Sequence, residues 1–151
     1  DGGRVRIRGR LKEIIVTSTG EKIAPVDLEF AIQNDPLFEQ VFVYGENRPF
    51  ISALIVVQPE LWQSLCREME LDPEDPASLT DRSMTRLLLK RVRAAAKDFP
   101  SYGIPRSIAV VREPFTIENG LLTPTMKPHR KEIFARWGHL IEAIYAGHPA
   151  A

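Results

Sequence analysis

The chain has a single cysteine, Cys66, among 151 residues, so no disulfide forms within it and a structural zinc site built on several thiolates is excluded. Histidine is also scarce. His129, His139 and His148 include no pair at helical metal-ligand spacing and no acidic cluster accompanies them, so no metal site is expected. No apolar run approaches the roughly 20 residues that a membrane-spanning helix needs, and no secretory signal opens the sequence. Neither sign of charge is in excess, because 20 Lys and Arg balance 20 Asp and Glu. A dedicated nucleic-acid or anionic-membrane binder carries a basic surplus, so neither class is favoured, although a local basic face remains available. There is no Ser-His-Asp set, no Gly-x-Ser-x-Gly elbow and no Gly-rich phosphate loop of the mononucleotide or dinucleotide type.

What is present fits one domain with its own core. The opening Arg4-Val5-Arg6-Ile7-Arg8-Gly9-Arg10-Leu11-Lys12 alternates charged and apolar residues with period two, which predicts a strand with one arginine face. The absence of an initiator Met and the turn-like Asp1-Gly2-Gly3 read as a piece of a longer chain. Glu13–Val16 and Lys22–Ala24 flank a polar turn at Thr17–Glu21, which predicts a hairpin with Gly20 in the unusual backbone position. Pro25 opens a helix whose inward stripe is Leu28, Ala31 and Ile32. Gln40–Tyr44 and Phe50–Val57 read as strands, the second covered on both faces. Pro59 starts a helix with Leu61, Leu65 and Met69 in register, and Asp72–Thr80 reads as a loop. Asp81 caps a long helix, Ser107–Arg112 is a further strand, Phe115–Pro128 is a loop, and Lys131–Ala146 closes as a helix. The class is α+β with an α/β-like alternation: a small mixed sheet flanked by helices, preceded by a hinge strand and a β-hairpin.

Two segments carry more. One is Gly9-Arg10-Leu11-Lys12-Glu13-Ile14-Ile15 followed by Gly20-Glu21-Lys22-Ile23-Ala24-Pro25. The other is Phe115-Thr116, then Asn119-Gly120-Leu121-Leu122-Thr123-Pro124-Thr125-Met126-Lys127, ending at Arg130. Together they resemble the C-terminal domain of the adenylate-forming enzymes, and the forms GRLKEIIVTSTGEKIAP and NGLLTPTMK, with EQVFVYGENRPFISALIVV between them, look most like the long-chain fatty acid–CoA ligases. The resemblance covers essentially the whole chain in order.

The resemblance implies an enzyme that makes an acyl-adenylate from a fatty acid and ATP with Mg2+, then forms a thioester with coenzyme A, its C-terminal domain rotating between the steps. It implies Lys127 as the catalytic lysine of adenylation and Lys12 as the hinge. Gly20 would lie along the pantetheine tunnel in the thioester-forming state, and Arg10 and Lys22 would touch the nucleotide or the other domain. It implies residues 1–11 as the end of an N-terminal adenylation domain and its linker, 12–147 as the mobile domain and 148–151 as a tail. That N-terminal domain would be its partner and hold ATP and Mg2+, so the isolated domain is expected to be inactive alone. A cytoplasmic enzyme with no transmembrane segment is expected, peripheral membrane association being left open by the greasy substrate. No nucleic-acid partner is expected. Two alternatives stand beside this reading: an acyl-AMP ligase that loads a carrier protein, and a non-catalytic module that binds nucleotide or RNA through the Arg4–Arg10 face. The chain departs from the long-chain branch at Lys127-Pro128-His129-Arg130, where His129 replaces a second lysine, so no coenzyme A phosphate contact is carried over to that position.

Overall fold

The computed structural model describes residues 14–146. The arginine strand, Arg10 and Lys12 lie outside the described residues. Ile15–Val16 (β1) and Lys22–Ile23 (β2) form the antiparallel hairpin, and Pro25–Ile32 is the first helix (α1). Phe38–Tyr44 (β3), Ser52–Val57 (β4) and Ser107–Val111 (β5) form the main sheet in the order β3-β4-β5. The β3–β4 pair is antiparallel and the β4–β5 pair parallel, so the sheet is mixed as the sequence pattern predicts. Pro59–Glu68 (α2) and Arg82–Ala95 (α3) connect β4 to β5, and Arg130–Ala146 (α4) ends the described chain.

Every residue of β4 is buried, as expected for an apolar run in the middle of a sheet. Its side chains alternate between two cores. Ala53, Ile55 and Val57 face a layer built by α1, α2 and α3 through Leu28, Trp62, Met84 and Leu88. Leu54 and Val56 face Phe42, Phe115, Leu121, Ile133 and Ile141, supplied by α4 and the segment before it. The period-two pattern of the strands thus places helices on both faces. Arg91 of α3 reaches the turn after α1 and donates to both Asp35 oxygens at 2.7 Å. Burial alone pushes the Asp35 carboxyl up, but the Arg91 guanidinium holds it below the usual carboxylate range.

Three expectations need correction. The inward face of α2 carries Trp62, Leu65 and Cys66, while Leu61 is 39% exposed. Trp62, Leu65, Cys66 and Met69 keep the i, i+3, i+4, i+7 spacing, and the indole N–H reaches the Pro73 carbonyl at 3.2 Å, so the larger ring takes the core position. The segment 72–80 is not all loop: Pro76–Thr80 is a 3-10 turn, started by Asp75 Oδ1 accepting from the Ala77 N–H at 2.9 Å. The apolar pattern of the last helix predicts Ile133, Phe134, Trp137, Leu140, Ile141 and Ile144 inward, and all six lie at the core, but the helix also buries Tyr145, which that pattern passes over.

Tyr145 fastens α4 to the start of the central strand, β4. Its hydroxyl donates to the Phe50 carbonyl at 2.8 Å and lies 3.0 Å from Ser52 Oγ. Burial pushes this hydroxyl up to about 12, from 10 in an unperturbed tyrosine. Between pH 10 and about 12 the unfolded chain has therefore lost a proton that the folded chain retains. The contribution is present in full below pH 10 and is lost as the pH rises through about 12, by about 2–3 kcal/mol in total. Tyr145→Phe is expected to cost about 1–2 kcal/mol at neutral pH through the lost hydrogen bonds. Urea unfolding followed from pH 7 to 12 should show that difference close and then invert above pH 10.

Candidate functional site

The Thr/Pro stretch before α4 is an ordered hairpin rather than an open loop. The Thr123 N–H donates to the Lys127 carbonyl at 2.8 Å, and the Met126 N–H donates back to the Thr123 carbonyl at 2.8 Å. The Lys127 N–H donates to Thr123 Oγ1 at 3.2 Å. Pro124 follows Thr123, where a proline suits the second position of a turn. Below the turn, Leu122 and Pro128 form a bridge, and the His129 N–H donates to the Leu121 carbonyl at 2.8 Å.

The hairpin is anchored on both sides. Upstream, Asn119 Oδ1 accepts the N–H groups of Thr116 and Leu121, both at 3.0 Å. The Gln40 side chain clasps the Phe115 backbone, accepting its N–H at 2.6 Å and donating to its carbonyl at 2.9 Å. Downstream, the His129 carbonyl accepts the Ile133 N–H at 2.9 Å and so starts α4. Arg130, the first residue of that helix, donates to both oxygens of Glu29 on α1, at 2.7 and 2.9 Å. Glu29 is 4% exposed and also accepts the Val43 N–H at 2.8 Å. One buried carboxylate thus joins α1, β3 and the start of α4. A carboxylate at this depth is tolerable only with such partners.

Lys127 stands at the end of this framework. Among the described residues its ammonium has no hydrogen-bond or ion-pair partner. It lines a groove of about 750 Å³ with Val26, Phe30, Met126, Gln40 and Arg130. Apolar side chains border the groove: Phe30 is 68% exposed and Met126 64%. Arg130 also lines a second cleft of about 440 Å³ with Ile15, Tyr44 and Phe134, so this arginine borders both hollows.

Met126 has φ +67°, in the left-handed region that costs a side chain about 1–2 kcal/mol. An exposed apolar residue held there gains little from packing. Met126→Gly is therefore expected to stabilise the protein by about 1 kcal/mol, raising the midpoint of a thermal melt by about 2–4 °C.

The Gly20 hairpin forms as predicted, with Gly20 at φ +91°. A Cβ added at Gly20 would meet no atom within 4 Å, so the glycine answers a backbone requirement and leaves open space above it. Glu21 accepts from the hydroxyls of Thr19 and Thr17, which hold its carboxyl below the usual range. Lys22 is exposed on β2. Neither Gly20 nor Lys22 lines the Lys127 groove, so the structure does not bring them to that site. Sequence reasoning missed Glu29, Gln40 and Thr123. For Glu29, its position one residue after the inward Leu28 is the available signal for a buried partner.

The family model described as the AMP-binding enzyme C-terminal domain matches residues 12–149. A long-chain-fatty-acid–CoA ligase of Mycobacterium tuberculosis is 35% identical over 150 residues, 96% of this chain and 24% of that protein. A chloroplastic long-chain-fatty-acid–[acyl-carrier-protein] ligase of Arabidopsis thaliana is 32% identical over 145 residues, 96% of this chain and 18% of its own length. The A domain of a carboxylic acid reductase from Segniliparus rugosus, solved with AMP and a co-purified carboxylic acid, superposes with a TM-score of 0.74 at 29% identity. That match covers 90% of this chain and 20% of that one. The chain spans about a fifth of the length of these relatives. Matched over nearly all its length, in motif and in fold, the chain belongs to the C-terminal domain family of the AMP-binding, acyl-activating enzymes.

Proposed function

We propose that this chain is the mobile C-terminal domain of an ATP-dependent long-chain fatty acid–CoA ligase, with Lys127 as its catalytic lysine. Residues 12–147 form the moving body, Lys12 is its hinge, and residues 1–11 belong with the larger adenylation domain. The observation that carries the reading is the presentation of Lys127: a fixed backbone, a side chain with no described partner, and an apolar-bordered groove beside it.

In adenylation, a fatty carboxylate attacks the α-phosphate of ATP and pyrophosphate leaves. Both reacting groups are anionic, so a cation held between them stabilises the charge that builds in the transition state. Lys127 supplies that cation, with the apolar rim excluding water and strengthening its field. Among the described residues no three His, Cys, Asp or Glu side chains stand together as a metal site. The Mg2+ that would balance the phosphates is assigned, with the nucleotide, to the partner domain, as the family resemblance implies. After rotation about Lys12, the Gly20 turn replaces Lys127 at the active site, where the open space over Gly20 lets backbone approach the pantetheine arm. The separation of Gly20 from the Lys127 groove supports two faces used in turn. Arg10 and Lys22 are assigned to contacts with the nucleotide or the partner domain. The described residues hold no helix long and apolar enough to cross a membrane; we place the enzyme in the cytoplasm on the family resemblance.

A second reading has its own support: the acyl group passes to a carrier protein. One relative is named as an acyl-carrier-protein ligase, and a carboxylic acid reductase didomain carrying a PCP superposes with a TM-score of 0.71 at 31% identity. The full-length protein, given fatty acid, ATP and Mg2+, distinguishes the readings when offered coenzyme A or a phosphopantetheinylated carrier in parallel. Acyl-CoA as the faster product supports the first reading; acylated carrier with no acyl-CoA would replace it with the second. No pyrophosphate release with any fatty acid would remove both.

A further inference from the structure

The domain builds one turn twice. Thr17-Ser18-Thr19-Gly20-Glu21 and Thr123-Pro124-Thr125-Met126-Lys127 match bond for bond. In each, the fourth N–H donates to the first carbonyl, at 2.9 and 2.8 Å, and the first N–H donates to the fifth carbonyl, at 2.9 and 2.8 Å. In each, the fifth N–H donates to the first threonine's hydroxyl, at 3.1 and 3.2 Å. The two threonine hydroxyls meet at 3.2 and 3.0 Å. The fourth residue has positive φ in both, +91° and +67°.

The turns differ where their chemistry differs. Glycine takes the positive φ without strain in the first, whereas Met126 must be held there in the second. The fifth side chain of the first turn, Glu21, folds back onto both threonine hydroxyls. That of the second, Lys127, carries only donors, and among the described residues it makes no such bond back to the turn; the Thr123 hydroxyl takes its backbone N–H instead. The second turn therefore fixes the lysine's backbone and leaves its ammonium free to reach outward.

We propose that Thr123 is a positioning residue for Lys127: its hydroxyl, by accepting the Lys127 N–H, locks the strained turn and so sets the point from which the lysine reaches the reacting phosphate. The inference rests on the adenylation role proposed for Lys127. Without the hydroxyl, the backbone at Met126 relaxes toward negative φ and the turn opens. The Lys127 N–H then pairs with water, since this bond lies at the exposed surface, so folding loses little. Placement loses more, because displacement of a catalytic group by about 1 Å costs up to about 100-fold in rate.

The test uses the full-length protein with Thr123→Val, Thr123→Ala and Thr123→Ser, and Lys127→Ala alongside. Valine and alanine remove the acceptor, and serine retains it. The expected result for valine and alanine is a fall of about 10- to 100-fold in kcat for fatty-acid-dependent pyrophosphate release. KM for ATP and fatty acid should stay within about 2-fold, as should thioester formation from supplied acyl-adenylate, because the hydroxyl acts on placement in one half-reaction. Serine should restore kcat to within about 3-fold, since it keeps the same acceptor. Wild-type kcat in the valine and alanine variants, beside an inactive Lys127→Ala, overturns the inference and leaves the function intact. A parallel loss of both half-reactions with a lowered melting temperature, or failure of both variants to fold while serine folds, makes Thr123 a folding residue and overturns it too. Full adenylation by Lys127→Ala instead overturns the role of the lysine itself.

Discussion

Lys127→Ala in the full-length protein is expected to lower kcat for acyl-adenylate formation by about 100- to 1000-fold, the usual effect of deleting one preorganised electrostatic partner of a transition state. Thioester formation from supplied acyl-adenylate should change by no more than a few-fold, since the proposed rotation has by then carried Lys127 away. The melting temperature should be unchanged, because the side chain is exposed and substitutions at such positions rarely exceed about 0.5 kcal/mol. That pairing of a large kinetic effect with no stability effect separates a catalytic lysine from a packing one. Lys127→Arg keeps the charge but replaces a compact, flexible ammonium with a longer planar fork, so it should fall between wild type and alanine. Pyrophosphate release and thioester formation, measured separately, decide the matter. Equal rates for alanine and wild type in both would mean that Lys127 is an ordinary solvated residue, and that the reach of its hairpin into the groove has no chemical consequence.

The strands and helices were legible because their signals are local. The apolar run at 50–57, prolines at 25 and 59, and the acid at Asp81 each carry their meaning within a few residues, and each element stands where expected. Asp81 Oδ2 accepts the Met84 N–H at 3.0 Å, as a helix cap should. Lys127 was legible only through its motif; a lone lysine in a Thr/Pro stretch carries no such meaning by itself. The framework around it was not legible, because its parts are distant in the chain. Glu29 meets Arg130 across 101 positions, and Gln40 meets Phe115 across 75. The Thr123 turn is an intermediate case. Both TxT sequences were in view, but their equivalence lies in backbone bonds and in a positive φ that methionine does not advertise.

The largest effect on stability is expected at Glu29. Its carboxylate lies 4% exposed between the Val43 N–H and the Arg130 guanidinium, which stacks over Phe42 at 5.5 Å. Breaking a buried, hydrogen-bonded pair leaves the surviving charge without its counterpart, at a cost of about 3–5 kcal/mol. Arg130→Ala, which leaves the buried Glu29 carboxylate without this guanidinium, should lower the melting temperature by roughly 10 °C or more, at about 2–4 °C per kcal/mol for a protein of this size, and Glu29→Ala by less, because the Arg130 side chain is 21% exposed and can turn toward water. Their combination should fall well short of the sum, because the second deletion removes the charge that the first left stranded; a non-additivity above about 1 kcal/mol in a double-mutant cycle is the expected signature. Glu29→Gln should cost less than alanine, since the amide oxygen still accepts the Val43 N–H while the charge is lost. Additive single effects would show that the two residues act separately, against the geometry. The pair also bears on chemistry, because Arg130 follows Lys127 by three residues and fixes the start of α4. Loosening it should slow adenylation together with the fall in stability, whereas the change at Thr123 should slow adenylation alone. The two responses thereby separate what holds the domain together from what aims its lysine.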